Sequence, residues 1–215
     1  HLKEAQLKYL QSQINPHFLY NTLDSIIWMI QSKKYEGAGK MVSMLAKFFR
    51  ISLSQGKDII PLQKELEHAV SYLSIQNVRF QDKFTFTVDW DEKLADCLCR
   101  KLVIQPLLEN AVYHGMEGMY EDGEIQLKIY AVNELVHIDV IDNGEGMTEA
   151  QVQKMMQGDV VSSKRGSGIG VKNVNDRIKL YFGEAYGVQI ISAPDEGTTA
   201  RIYFPMRRQE DETEK

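Results

Sequence analysis

Apolar positions in the first 80 residues recur at intervals of three and four: Leu7, Leu10 and Ile14, then Leu19, Leu23, Ile26 and Ile30, then Val42, Leu45 and Phe49, then Leu62, Leu66, Val70 and Leu73. That period belongs to one face of an α-helix, so almost all of residues 2–80 is predicted helical. Breakers divide the run. Asn15-Pro16 either kinks the first helix or opens a new one, because proline lacks an amide proton yet suits a helix's first position. Gly37 and Gly39 predict a hairpin bend, and Gly56 to Pro61 a second break. Apolar stripes this wide call for an antiparallel bundle, or half of one completed by a second copy. From Lys83 the period changes to two: Phe84, Phe86 and Val88 alternate with threonines, and the alternation returns at 125–129, 136–140, 188–190 and 200–204. Helical patterns at 101–114, 148–156 and 171–182 lie between these strands. The expected fold is α+β. A helical hairpin region occupies residues 1–80, an α/β sandwich with one sheet covered on a single face by helices occupies 81–207, and 208–215 is a solvated tail. Residues 157–168, rich in Gly, Ser and charge, read as a mobile loop.

Composition narrows the picture. A chain of 215 residues with 43% hydrophobic content buries a core, and one ordinary domain plus a smaller one fits its length. Its formal charge of −5 is unevenly spread, with 10 basic against 6 acidic residues up to position 80 and 15 against 24 beyond it. An acidic second part argues against nucleic acid, whose phosphates need a basic face. Cys97 and Cys99, one residue apart, are too close for a usual redox or zinc pair, and read as half-buried thiols of a reducing compartment. No run approaches the apolar length needed to cross a bilayer, and no signal-peptide layout opens the chain. Because it starts at His1 inside a helical pattern, further sequence is expected upstream.

Three segments carry candidate chemistry. In Gln105-Pro106-Leu107-Leu108-Glu109-Asn110-Ala111-Val112-Tyr113-His114-Gly115 the apolar residues form one helical stripe, while Glu109, Asn110 and His114 share another face. The amide oxygen of Asn110 is a hard ligand suited to Mg²⁺ held against phosphates. Ile141-Asp142-Asn143-Gly144-Glu145-Gly146-Met147 ends a strand with a carboxylate and two glycines. Asp142 can accept a hydrogen bond from an amino group such as that of adenine, and Gly144 and Gly146 let backbone approach a flat ring. Arg165-Gly166-Ser167-Gly168-Ile169-Gly170-Val171-Lys172-Asn173 opens a helix with three glycines, and bare amides at a helix N-terminus make a phosphate site. Its spacing fits neither a Walker loop nor a dinucleotide fingerprint.

These segments, with Gly197-Thr198-Thr199 before the last strand, resemble in order the N, G1 and G2 boxes and final threonine of the GHKL ATPase fold. Further upstream, Gln13-Ile14-Asn15-Pro16-His17-Phe18-Leu19-Tyr20-Asn21-Thr22-Leu23 resembles the phosphoacceptor segment of the LytS and YesM group of sensor histidine kinases. Read without the family, His17 opens a helix just after a break, so its ring can face solvent and offer a nucleophilic nitrogen. The resemblance implies a GHKL-type sandwich with a mixed sheet and ATP bound between sheet and helices. Asp142 would meet adenine, Asn110 would hold Mg²⁺, and His114 and Thr198 would line the pocket. The phosphates would meet Lys164, Arg165, Gly166, Ser167, Gly168, Ile169, Gly170, Val171 and Lys172, with the 157–168 loop as a lid. His17 would take the γ-phosphoryl group and pass it to an aspartate of a response-regulator receiver domain. A homodimer and membrane attachment through upstream segments are also implied.

One position departs from the commonest histidine kinases, which place an acidic residue directly after the acceptor. Here that residue is Phe18, so the base lies elsewhere, with Glu109 the first candidate and Asp24 the second. Two rivals remain: a GHKL ATPase or protein-serine kinase that never phosphorylates histidine, and a non-catalytic dimerisation module with a degenerate pocket. Neither accounts for both an intact nucleotide motif set and Asn15-Pro16-His17-Phe18 on an amphipathic hairpin. The methionines, Met155 and Met156 among them, read as packing, as do Tyr20 and Trp28 on helix faces.

Overall fold

The computed structural model describes residues 15–53, 57–81, 83–115, 122–159 and 168–209. Two helices open it: α1 (Pro16–Gln31) and α2 (Tyr35–Leu53). Asn15 caps α1, its side-chain oxygen accepting from the backbone of His17 at 3.1 Å and Phe18 at 3.3 Å, with Pro16 in the first helical position. Of the two readings of Asn15-Pro16, the helix start is therefore the one observed. The bend expected at Gly37 and Gly39 lies earlier. Ser32 to Lys34 turn the chain, with Lys33 at φ 60°, and both glycines sit inside α2. The turn succeeds without glycine because backbone amides of residues 32–34 cap the carbonyls of Trp28, Met29 and Ile30.

After α2 the break holds a short strand that alternation could not reveal, β1 (Ile59–Pro61), paired antiparallel with β3 (Leu98–Arg100). Between them run α3 (Leu62–Arg79) and β2 (Phe84–Trp90). Three residues are too few for a period to show. Then follow α4 (Ile104–Asn110) with a wider π-type turn to Gly115, β4 (Gly123–Val132), β5 (Leu135–Asp142), α5 (Glu149–Gln157), α6 (Gly168–Phe182), β6 (Gly187–Ser192) and β7 (Thr198–Pro205).

The main sheet has the order β2-β4-β5-β7-β6, parallel between β2 and β4 and antiparallel elsewhere, so it is mixed as expected. Side chains alternate across it. Ile125, Leu127 and Ile129, Val136, Ile138 and Val140, and Ala200, Ile202 and Phe204 all point into one buried layer with Leu107, Leu108, Val171, Val174 and Ile178. On the opposite face a polar network replaces the helices. Arg201 donates two hydrogen bonds to Asp139 at 2.8 and 2.9 Å, and Tyr130 adds a third at 2.9 Å.

Helix α3 joins the hairpin to this layer. Tyr72 and Phe48 pack on Phe18, with ring centroids 5.3 and 4.9 Å from it. His68 is buried, stacked 4.3 Å from Phe48 and bonded to Ser52 Oγ at 2.8 Å; burial, with Lys101 nearby, lowers its pKa to about 3 and keeps it neutral. Glu65, one turn before, is also fully buried and accepts from the backbone of Leu102, Val103 and Ile104 at 3.0, 2.9 and 3.1 Å. Cys97 and Cys99, just before and within the short strand β3, are fully buried rather than half-buried. No helix among the described residues is long and apolar enough to cross a membrane.

Candidate functional site

The parity that buries Val136, Ile138 and Val140 puts Asp142, two residues on, on the same helix-facing side of β5. In register with it across the ladder stands Thr198, as Ala200 stands against Val140, and all four line one cleft between sheet and helices. Leu107, Asn110 and Ala111 form its helix wall, and Gly146, Met147 and Met155 border it. The cleft opens to solvent and is mainly apolar, as suits a flat heterocycle.

Burial pushes the Asp142 carboxyl up to about 6, against hydrogen bonds from the backbone of Gly144 and Thr198 that favour its charged form. The Gly144 amide donates to Asp142 Oδ1 at 2.9 Å. Two glycines let the chain close round this carboxyl. At Gly146 (φ +69°) a Cβ would overlap the Ala193 carbonyl, and at Gly197 (φ +78°) it would overlap that of Asp142 itself. Ser192 ties the loops together: its Oγ accepts from Met147 N at 2.9 Å, donates to Gly197 O at 2.8 Å and lies 2.8 Å from Thr198 Oγ1. Nothing in the sequence pattern marks Ser192, an exposed-looking serine at a strand end. Met155 packs as its sequence position predicts and also lines the cleft.

The carboxamide of Asn110 has its nitrogen buried without a hydrogen-bond partner. An orphaned amide at a cleft wall fits a group whose partner is a ligand or a hydrated cation. Glu109, its neighbour, accepts from Gln105 Nε2 at 3.1 Å, and burial raises its pKa. At the start of α6 the first-turn amides of 168–171 have no intrahelical partners by geometry alone. There Gly170 lies against Pro106 while Val171 is wholly buried, so Val171 serves the core and only its backbone can face a ligand. Lys172 is paired with Asp176 at 2.5 Å and is not among the cleft-lining residues. Lys164, Arg165, Gly166 and Ser167 lie outside the described residues, as do the side chains of His114 and Ile169 and most of the 157–168 loop.

His17 is exposed in the capped first turn of α1, with its Nδ1 2.7 Å from Asn21 Nδ2 and its Nε2 farther off at 3.5 Å. Phe18, at the position where an acid was missing, is buried and anchors the helix instead. Asp24 is exposed seven residues further along the same helix, about 10 Å of rise away. Among the described residues no group of three or more His, Cys, Asp or Glu could hold a metal.

Comparison with known proteins meets this geometry at both ends. A histidine kinase family model matches residues 5–84, and the model of the histidine kinase-, DNA gyrase B- and HSP90-like ATPases matches residues 100–208. The sensor histidine kinase YesM of Bacillus subtilis (strain 168) is 39% identical over 97% of this chain and 34% of its own length. The sensor protein LytS of Bacillus anthracis is 33% identical over 98% of this chain and 36% of its own. A protein named sensor histidine kinase/phosphatase LytS, from Staphylococcus aureus (strain Mu50), is 32% identical over 98% and 36%. The chain thus spans about a third of the length of these curated relatives. Among solved structures, the histidine kinase domain of a blue-light activated kinase from Erythrobacter litoralis aligns over 94% of both chains at TM-score 0.52 and 17% identity. The catalytic domain of the histidine kinase ThkA aligns over 69% of this chain and 94% of its own at TM-score 0.53 and 16% identity. The last two likenesses concern fold alone. With its ATPase model covering just over half of the sequence and its relatives running nearly end to end, the chain belongs to the histidine kinases of the LytS and YesM group.

Proposed function

We propose that this chain is the kinase core of a two-component sensor: it binds ATP with Mg²⁺, phosphorylates its own His17, and hands the phosphoryl group to an aspartate of a response regulator. The observation that carries the reading is the pairing, in one chain, of a carboxylate-floored apolar cleft with an exposed imidazole on a capped helix start. Asp142 accepts from the exocyclic amine of adenine, the apolar walls hold the ring, and the α6 amides meet the phosphates. Asn110 would hold Mg²⁺, which when bound would offset the negative charge of the phosphates.

In the transfer, the Glu109 carboxylate takes the proton that Asn21, by donating to Nδ1, leaves on His17 Nε2, and the electron pair so freed forms the P–N bond while the bond from the γ-phosphorus to its bridging oxygen breaks. ADP leaves with the electrons of the broken bond. A desolvated carboxylate is a better base than one in water, which favours Glu109 over the exposed Asp24. Little covalent help is needed, since phosphoryl transfer depends on alignment and charge neutralisation. The residues 1–80 and 81–207 are the corresponding phosphoacceptor and nucleotide parts, the first also forming a homodimer.

Incubation with γ-labelled ATP and Mg²⁺ tests the reading. The label should be acid-labile and base-stable. His17→Gln should abolish it with nucleotide affinity intact, and Asp142→Asn should remove both. Labelling that survives His17→Gln rules out the assigned acceptor.

A further inference from the structure

One serine hydroxyl governs which hydrogen-bonding groups the floor of the cleft can present. Ser192 ends β6 opposite Thr198, the first residue of β7, and its Oγ has three polar neighbours. The Met147 amide donates to it at 2.9 Å, and it donates to the Gly197 carbonyl at 2.8 Å. Thr198 Oγ1 is the third, 2.8 Å away. Two of these neighbours have fixed roles, because an amide N–H can only give a proton and a carbonyl oxygen can only receive one. A hydroxyl carries one proton and two lone pairs, so Ser192 spends its proton on Gly197 and one lone pair on Met147. Only the second lone pair is left for Thr198, which must therefore be the donor of that pair. The Thr198 proton is thus held by Ser192, and its hydroxyl shows the cleft lone pairs alone.

We propose that Ser192 is a positioning residue that sets purine selectivity: by taking the Thr198 proton it leaves a floor made of acceptors, which receives a 6-amino purine and turns away a 6-oxo purine. The proposal rests on the nucleotide reading above and deepens it. Asp142, the other polar side chain of the floor, has Oδ1 engaged by the Gly144 amide at 2.9 Å, and at neutral pH it is ionised and has no proton to give. An exocyclic amine brings two N–H groups to these acceptors. A 6-oxo group sets lone pairs against lone pairs. Among the cleft-lining residues the other side-chain donor is Asn110, which belongs to the helix wall and not to the floor.

Ser192 itself is not among the cleft-lining residues, so it acts on a nucleotide through Thr198. Its removal has a distinctive effect. In Ser192→Ala the Thr198 hydroxyl is free to turn its proton into the cleft, where it becomes a donor that a 6-oxo group can use. Ser192→Thr keeps a hydroxyl with the same one proton and two lone pairs. A serine that merely fastened the two loops would, when removed, weaken every nucleotide by the same factor.

Calorimetric titration with adenosine and inosine diphosphates, with Mg²⁺ at neutral pH, tests this. Inosine carries an oxo group and a ring N–H where adenosine has an amine and a bare ring nitrogen. The wild-type protein should bind the adenosine form about 10–100-fold more tightly, the range that an unrelieved buried acceptor produces. In Ser192→Ala that preference should fall about tenfold, and in Ser192→Thr it should return. In a Thr198→Val background, which has no hydroxyl to orient, adding Ser192→Ala should leave the preference where Thr198→Val set it. Equal weakening of both diphosphates in Ser192→Ala would reduce Ser192 to a loop fastener and overturn the proposal. So would a wild-type protein without preference, whatever the variants do. Binding of neither diphosphate to the wild-type protein would remove the nucleotide reading itself.

Discussion

With its carboxyl at the closed end of an apolar cleft, Asp142 holds a proton that an exposed aspartate would have lost, its pKa standing at about 6 against an ordinary 3.8. An amine donor needs the ionised form, so binding below that point must expel the proton. Nucleotide affinity should weaken about tenfold per pH unit below about 6 and be flat between about 6 and 8, read by isothermal titration. For the empty protein the sign is opposite. The folded state binds the extra proton, so this group's contribution to stability is full below 3.8 and is lost as pH rises through about 6. The thermal shift produced by nucleotide should therefore grow from pH 5 to 7. At this scale Asp142 and Asn110 were legible in the sequence because a carboxylate and glycines at a strand end, and polar residues on a helix, break the pattern around them, and Gly197 and Thr198 through the resemblance their motif carries. Ser192 acts through loops folded over one another, and such contacts leave no periodic trace.

Between elements, Glu65 is the clearest case of a side chain whose work is invisible to pattern. It occupies a position where the helical stripe of α3 would take an apolar residue, and its carboxylate instead collects three amides from the turn before α4. Arg177 of α6 grips the same turn through the carbonyls of Lys101 and Leu102, at 2.5 and 3.1 Å, while Leu102 sits at φ 60°. Glu65→Gln keeps the shape but turns an NH₂ toward backbone donors. It should cost about 1–3 kcal/mol in urea unfolding, and also weaken nucleotide binding because the turn sets the height of Asn110. A loss of stability with affinity unchanged would limit Glu65 to folding. The elements themselves were read well where they are long. Strands 84–90 and 198–205 and helix 62–79 follow their periods, whereas β1 and β3 are too short to show one. Gly37 and Gly39 misplaced the bend because glycine marks where a turn is permitted. The cap hydrogen bonds at Ser32 to Lys34 set where it forms.

In the whole molecule the hairpin has two apolar faces and one chain covers only one of them. Phe18, Ile26, Met41, Leu45 and Phe48 are buried, yet Tyr20, Leu23, Ile27 and Ile30 are 40–65% exposed, as is Val42 at 51%. Their spacing of three, four and three along α1 is that of a coiled-coil seam, which asks for a helix of like kind alongside. A second copy offers the same seam, and a two-fold pairing would close both stripes into a four-helix core. Ile27→Lys puts a charge at the middle of the seam and should convert a dimer to a monomer in sedimentation equilibrium. Leu180→Lys, at a site 86% exposed on α6, should leave the dimer unchanged.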